Sequence, residues 1–261
     1  MLLACAALLQ PGNLSGERIA VRQSEGLVHG FLVLHSLDGN HLADGNLVQV
    51  AHGNRVTTQL VYHFKDGSLH HETATYSQSG SFRLLSYHLV QKGPVFKTQM
   101  DFSIDVLSGQ VSIRHSGDDG KEEVISERPK LPEDLANGIV LTLLKNIRPE
   151  TPRTTVSFLA ATPKPRLVKL QIVPQGEEAF TTGGAKRKAT HYVVRVDLGG
   201  VSGLAAPLLG KQPTDTHVWI LQGHAPAFVK FEGALYLGGP IWRIELTSPV
   251  WPKSPAEEHK E

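Results

Sequence analysis

Apolar and polar side chains alternate with a period of two along most of this chain. Apolar residues occupy positions 168, 170 and 172, and the segment 242–246 alternates apolar with charged residues at every step. Because successive side chains of a β-strand point to opposite faces, this alternation predicts half-buried strands. In the second half of the chain the pattern predicts strands at about 154–161, 166–173, 190–198, 215–221, 226–232 and 240–247.

Turn signals organise the first half of the chain. The dipeptides Asp66-Gly67, Ser79-Gly80 and Ser108-Gly109 each stand between alternating segments. A two-residue loop fixes the register of a β-hairpin, and Asp-Gly is the strongest of the three signals. We therefore predict an antiparallel meander from about residue 55 to 115.

One segment departs from the strand pattern and predicts a helix over about 132–147. Pro132 suits the first turn of a helix, and Pro149 prevents the helix from continuing. Apolar side chains recur there at helical spacing, at Leu135, Ile139, Val140, Leu143, Leu144 and Ile147.

These elements together predict a mainly β protein. We expect a strongly curved antiparallel sheet or a half-open β-barrel, with the single amphipathic helix packed on its concave side. Residues 17–251 are predicted to form one β-rich domain, and the charged segment 252–261 a disordered tail.

The segments His217–Leu221, Ala225–Lys230 and Trp242–Leu246 resemble the closing strands of uncharacterised exported bacterial β-rich proteins. Over about residues 50–250, the architecture is similar to the half-open barrels of periplasmic lipoprotein carriers. The resemblance implies an exported protein with a concave binding surface, and it carries over no catalytic residue.

The start of the chain bears on localisation. Residues 1–12 include the apolar run Met1–Leu9, which resembles a truncated secretory signal peptide without its basic start. Leu2–Cys5 also resembles a lipobox, which would place a lipid on Cys5. We expect a secreted or periplasmic protein, with a lipid anchor as the alternative.

Charge and hydropathy narrow the range of partners. The chain has 26 basic and 25 acidic side chains, so its total charge gives no attraction toward nucleic acid. No internal apolar run approaches the length of a transmembrane helix. We expect neither nucleic-acid binding nor a membrane span, and the sequence identifies no protein partner.

The first predicted hairpin carries candidate metal ligands. A two-residue turn at Asp66-Gly67 would place His63 opposite His70, with Glu72 on the same face. Two imidazoles and a carboxylate form the ligand set of non-haem iron and of some catalytic zinc sites. The alternative is a solvent-exposed face of a hairpin, in which case the protein has no cofactor.

A second set of candidates lines the opposite face. The same register, extended through Ser79-Gly80, would place Tyr62, His71 and His88 together among apolar residues. Such polar groups orient ligands in otherwise apolar pockets, and the alternative is that they are hydrogen-bonded core or rim residues.

The segment 199–213 is long for a loop and carries Leu204, Leu208 and Leu209 between glycines and prolines. It is either a flap over an apolar cavity or a crossover that packs its leucines under the sheet.

Three functions remain open from the sequence. The first is an exported protein that binds an apolar or amphipathic small molecule, or a lipid, in the β-cup without catalysis. The second is a metal-dependent hydrolytic or oxidative enzyme that uses His63, His70 and Glu72. The third is an envelope interaction module that pairs an open sheet edge with a partner strand.

Overall fold

The computed structural model describes residues 16–116, 121–162, 164–182, 184–197 and 213–247. The strands before the helix are β1 Val28–Ser36, β2 His41–His52, β3 Arg55–Phe64, β4 Leu69–Ser79, β5 Ser81–Lys92, β6 Met100–Asp105, β7 Gln110–Ser116 and β8 Glu122–Glu127. Helix α1 spans Val140–Asn146. The strands after it are β9 Thr154–Ala160, β10 Arg166–Thr182, β11 Ala185–Asp197, β12 Thr216–Leu221, β13 Ala227–Gly233 and β14 Trp242–Leu246.

The strands form one curved, open antiparallel sheet. Its order is β8-β7-β6-β5-β4-β3-β2-β1-β14-β13-β12-β11-β10-β9, so each strand pairs with its neighbour in sequence except where β1 meets β14. Strands β8 and β9 are the two edges of this 14-stranded sheet within the described residues. The predicted mainly β fold and the meander of the first half are confirmed.

The core lies on the concave face of the sheet, where the helix is also packed. Side chains from β3 to β7 and from β9 to β12 converge there on Leu135, Ile139, Leu143, Leu144 and Ile147 from the segment 131–147. Leu144 is fully buried, and the phenol of Tyr192 on β11 donates a hydrogen bond to the carbonyl of Ile147. The helix therefore joins the two halves of the sheet.

The helix is shorter than the predicted 132–147. Residues 131–139 run extended or in turns, and Leu135 forms a parallel bridge with Ser157 of β9. Asn137 exchanges two hydrogen bonds with the backbone of Leu159, and Gly138 has a φ of +70°. Pairing with the edge strand therefore replaces the first helical turns, although the apolar residues are buried as expected.

A second hydrophobic cluster fills the other end of the concave face. It consists of Leu32, Leu34, Ala43, Tyr62, Phe64, Phe96, Trp242 and Ile244. Its aromatic rings pack edge to face or tilted, with Phe64 5.6 Å from Phe96 and 5.4 Å from Trp242 between ring centroids. The concave face thus has a helix-covered cluster at one end and an aromatic cluster at the other.

None of the helices in the described part of the chain is long and apolar enough to cross a membrane.

Candidate functional site

A row of polar side chains crosses the concave face and begins at Tyr62, a member of the aromatic cluster. In cross-strand register, Tyr62 on β3 faces His70 on β4, and His70 faces Gln91 on β5. The row continues through Met100 to His115 on β7. Tyr62, His70, Gln91 and His115 are all buried, so polar groups interrupt the apolar concave face along one line.

His70 is a buried member of this row, and its two ring nitrogens have different surroundings. Its side chain is 3% exposed, and its Nδ1 lies 3.1 Å from the amide nitrogen of Gln91. Its Nε2 is 3.6 Å from a carboxylate oxygen of Glu72, and it has no hydrogen-bond partner among the described residues. A buried nitrogen without a partner is costly, which marks this position for a functional explanation.

Glu72 lies on β4 beside this row, with 22% of its side chain exposed. Burial first, and the charge of Glu72 second, raise the pKa of Tyr62 above its usual value. Burial, the charge of Glu72 and a hydrogen bond to it raise the pKa of Tyr87 well above its usual range. Both phenols therefore remain neutral at physiological pH.

Half-buried apolar side chains lie on the same face of the sheet as these polar groups. Leu60 faces Glu72 across β3 and β4, and Leu47 faces Leu60 across β2 and β3. From the other half of the sheet, Phe228 and Phe231 on β13 pack against both hydrophobic clusters. The polar groups therefore lie within an apolar surface that is only partly covered. We call Leu47, Leu60, Tyr62, His70, Glu72, Phe228 and Phe231 the concave site.

Two loops meet across the aromatic end of the concave face. The phenol of Tyr236, between β13 and β14, donates to the carbonyl of Val95, between β5 and β6, at 3.1 Å. Gln91 donates to the carbonyl of Leu235 at 2.9 Å, and the rings of Phe96 and Tyr236 are 5.5 Å apart. These contacts join strands that are far apart in the sheet and hold the concave face closed at this end.

The predicted register of the first hairpin was wrong by one residue. Phe64 donates its backbone N–H to Ser68, so the loop comprises Lys65, Asp66 and Gly67 rather than two residues. Gly67 has a φ of +86°, as expected at the last position of a three-residue loop. Because a one-residue slip moves every side chain of one strand to the other face, the predicted groupings separate.

This shift separates the three candidate metal ligands. His63 pairs with Leu69 and lies on the convex face, whereas His70 and Glu72 lie on the concave face. The three side chains therefore cannot bind one ion. Among the described residues, no group of three or more histidine, cysteine or carboxylate side chains is arranged to hold a metal.

The second set of candidates also separates. Tyr62 is on the concave face, while His71 and His88 lie together on the convex face. His71 faces Val90 rather than His88, because the tight turn at Gly80 and a bulge after Thr75 shift the register by two residues in total. An even shift preserves the face, so these two histidines stay on one side.

The convex face around these histidines is polar. The His71 ring is 2.8 Å from the amide of Gln59, and burial followed by the charges of nearby histidines lowers the pKa of His71. His88 is hydrogen-bonded to Asp101 at 2.8 Å and borders a shallow cavity of about 360 Å³. Its lining includes the hydroxyl-bearing side chains of Thr73, Ser86, Tyr87, Ser103 and Ser108 together with the apolar Ile104.

Leu204, Leu208 and Leu209 lie outside the described residues, so their expected role as a flap stays a prediction.

The sequence did not indicate Phe228 and Phe231, which belong to the concave site, or Gln91, which lies next to it. A three-residue loop at Gly67 would have placed His70 and Glu72 on the apolar face. Phe228 and Phe231 carry no signal in the sequence, because their position depends on how the second half of the sheet curves.

No model of a known protein family matches this sequence, and no curated protein matches it. The crystal structure of a beta-barrel-like protein of the domain of unknown function DUF1849, from Brucella abortus, is similar to this chain. The two share 10% sequence identity with a TM-score of 0.47, over 88% of this chain and 100% of that chain. That neighbour is a bacterial protein of unknown function.

Proposed function

We propose that this protein is exported and binds an apolar or amphipathic small molecule, such as a lipid, at the concave site. The observation that carries the proposal is His70, a buried imidazole whose Nε2 has no hydrogen-bond partner among the described residues. Leu47, Leu60, Phe228 and Phe231, on the same face of the sheet, are apolar and only half buried. This combination, an apolar surface with a few oriented polar groups, is typical of small-molecule sites.

Burial of ligand surface supplies the affinity in this proposal. Removing apolar area from water stabilises a complex by about 25 cal/mol per Å². The half-buried leucines and phenylalanines of the concave site provide such area. No catalytic step is part of the proposal, and the separation of His63 from His70 removes the basis for the metal-dependent alternative.

Export is supported by the sequence alone. The run Met1–Leu9 is apolar and rich in small residues, as in the core of a secretory signal. Expression in a bacterium with a C-terminal tag, followed by cell fractionation and mass measurement of the tagged chain, tests this part. Recovery of full-length chain from the cytoplasm only would contradict it.

Titration with the apolar fluorescent probe N-phenyl-1-naphthylamine tests binding. The Leu60→Arg variant places a cation on the concave surface, and we expect it to weaken probe binding by at least about tenfold, since charge burial is costly. Val61→Arg is the matched control, because Val61 is the next residue of β3, is also half buried and points to the convex face. Circular dichroism verifies that both variants fold.

Equal weakening by the two substitutions would contradict binding at the concave site. A wild-type protein that takes up no probe would contradict ligand binding altogether and would favour an interaction module. Retained binding in Val61→Arg with loss in Leu60→Arg supports the proposal.

A further inference from the structure

The two edges of the sheet differ in how their backbone groups are bonded. On β9, Ser157 donates its N–H to the carbonyl of Asp134 at 3.2 Å and accepts from the N–H of Ala136 at 2.9 Å. The side chain of Asn137 bonds both the N–H and the carbonyl of Leu159 at 2.9 Å. The segment before the helix therefore covers the β9 edge, which is one way in which proteins prevent an edge strand from pairing with another chain.

The β8 edge has no such cover among the described residues. The N–H of Ser116 donates to the carbonyl of Gln99, on the β6 side of β7, at 3.2 Å. Because the direction of bonding alternates along an antiparallel strand, the neighbouring His115 bonds to β8, where it faces Glu123. The alternate residues of β8 then point their N–H and carbonyl groups away from β7, namely Glu122, Val124 and Ser126. In the described part of the chain these groups have no backbone partner.

Strand β8 also lacks the usual structural protection of an edge. It contains no proline, and its pairing with β7 has no bulge. At its centre, Val124 lies on the convex face and is 60% exposed, whereas Ile125 packs against the helix-covered cluster on the concave face. The glutamates at positions 122, 123 and 127 restrict which strand can pair here, because like charges directly opposite one another destabilise a sheet.

We infer that β8 pairs in antiparallel orientation with β8 of a second copy of this chain, about a twofold axis at Val124. Only residues whose backbone groups point outward can bond across this edge, so even-numbered residues of one copy must face even-numbered residues of the other. With the axis at Val124, this residue bonds to its own equivalent, and Glu122 bonds to Ser126 of the second copy on both sides of the axis. The two sheets then continue into each other through one symmetric contact.

The charges on β8 select this register. Directly opposite residues share a face, so Glu123 faces Ile125 of the second copy and Glu127 faces Lys121. No like charges are opposed, and the two exposed Val124 side chains cover each other. A shift by two residues in one direction would place Glu123 opposite Glu127, and a shift in the other direction would place Glu123 opposite its own equivalent. The strand is therefore complementary to itself, which favours a second copy as its partner.

Sedimentation velocity of the full chain from about 1 μM to about 1 mM, the range of weak association, tests this inference. The first variant is Val124→Pro. Because the Val124 N–H is not bonded to β7, proline should keep the pairing of β7 with β8, which circular dichroism verifies. Proline removes both hydrogen bonds of the central pair, so we expect the dissociation constant of the dimer to rise at least about tenfold.

Two results of this experiment would overturn the inference. Wild-type protein that stays monomeric at every concentration would leave a strand of another protein as the partner of β8. A dimer that persists unchanged in the folded Val124→Pro variant would place the contact elsewhere on the molecule.

Opposite charges at Ser126 test the register. Ser126 faces Glu122 of the second copy twice in the dimer, so we expect Ser126→Lys to tighten the dimer about fivefold and Ser126→Glu to weaken it about fivefold. Ser112 is the matched control, because it pairs with Ser126 from β7 on the same convex face but faces no residue of the second copy. Ser112→Lys and Ser112→Glu change the net charge equally, and we expect them to change the dissociation constant less than about twofold.

Equal effects at Ser126 and Ser112, or effects of the same sign for both Ser126 variants, would overturn the assigned pairing. Sedimentation requires no bound probe, so its outcome is independent of ligand binding at the concave site.

Discussion

At the residue scale, the convex face holds an indole ring between an imidazole and an ammonium group. The ring of Trp219 is stacked on His191 with 4.4 Å between centroids and 2° between planes, and Lys230 Nζ lies 3.7 Å from the Trp219 ring centroid. The Trp219 N–H donates to Glu178, whose other oxygen is 3.0 Å from His191. Trp219 is therefore buried although it lies on the outer surface of the sheet.

This arrangement makes stability depend on pH through His191. Burial, the largest effect, lowers the pKa of His191; Glu178 opposes this effect, and His217 adds to it. The unfolded chain then binds a proton more readily than the folded protein does. The stability contributed by neutral His191 is fully present above the unfolded pKa of about 6.5 and is lost as pH falls through the folded pKa.

We expect the His191→Phe variant to lose less unfolding free energy than the wild type when pH falls from about 7 to about 5. Urea unfolding followed by tryptophan fluorescence at several pH values measures this. His52→Phe is the control, since His52 is exposed at a hairpin end. A pH dependence in His191→Phe equal to that of the wild type would disprove the role assigned to burial.

Gly45 allows the close approach of Tyr62 to the sheet. A Cβ at this position would lie 2.5 Å from the Tyr62 ring and 2.8 Å from the Leu32 side chain. We expect Gly45→Ala to destabilise the protein by about 1–3 kcal/mol and to weaken probe binding, because Tyr62 belongs to the concave site. Chemical denaturation compared with Gly26→Ala, where a Cβ would meet nothing within 4 Å, measures the effect. Equal stability of the Gly45→Ala and Gly26→Ala variants would contradict the role assigned to Gly45.

At the element scale, α1 stabilises the sheet through its buried side. Leu144 is fully buried, whereas Leu141 in the same helix is half buried. We expect Leu144→Ala to cost about 2–5 kcal/mol of unfolding free energy and Leu141→Ala clearly less. Thermal and urea unfolding of the two variants measures the difference, and equal losses would show that the helix packs differently.

Element type was easier to predict from this sequence than element boundaries or register. The alternation that predicted the strands follows directly from the geometry of a half-buried sheet, and the strands are confirmed. The helix began later than predicted because Leu135 pairs with Ser157, which is more than 20 positions away, a contact that periodicity cannot report. The concave site was missed because the predicted register of the first hairpin was wrong by one residue. The loop before Ser68 has one residue more than predicted, so the side chains of β4 lie on the faces opposite to those predicted and His70 has different partners.

At the scale of the whole molecule, the curved sheet is held by contacts at both ends of its concave face. At one end, the side chain of Asn146 accepts hydrogen bonds from the backbone of Arg22 and Gln23 at 2.8 and 2.7 Å, so the helix also holds the N-terminal segment. At the other end, Tyr236 and Val95 join the loops of strands from opposite halves. The concave site lies between these two closures.

At the Tyr236 closure, two hydrogen bonds link the loops, from Tyr236 to Val95 and from Gln91 to Leu235, and the rings of Phe96 and Tyr236 pack together. We expect Tyr236→Phe to keep the fold but to increase amide hydrogen exchange in residues 93–99 and 234–241, since those loops open together. Probe association should also become faster if a ligand enters the concave site through this end. Hydrogen exchange by mass spectrometry and stopped-flow fluorescence measure the two effects. Faster exchange with unchanged association would place the entrance elsewhere, whereas a joint increase would identify these loops as the route by which a ligand reaches the concave site.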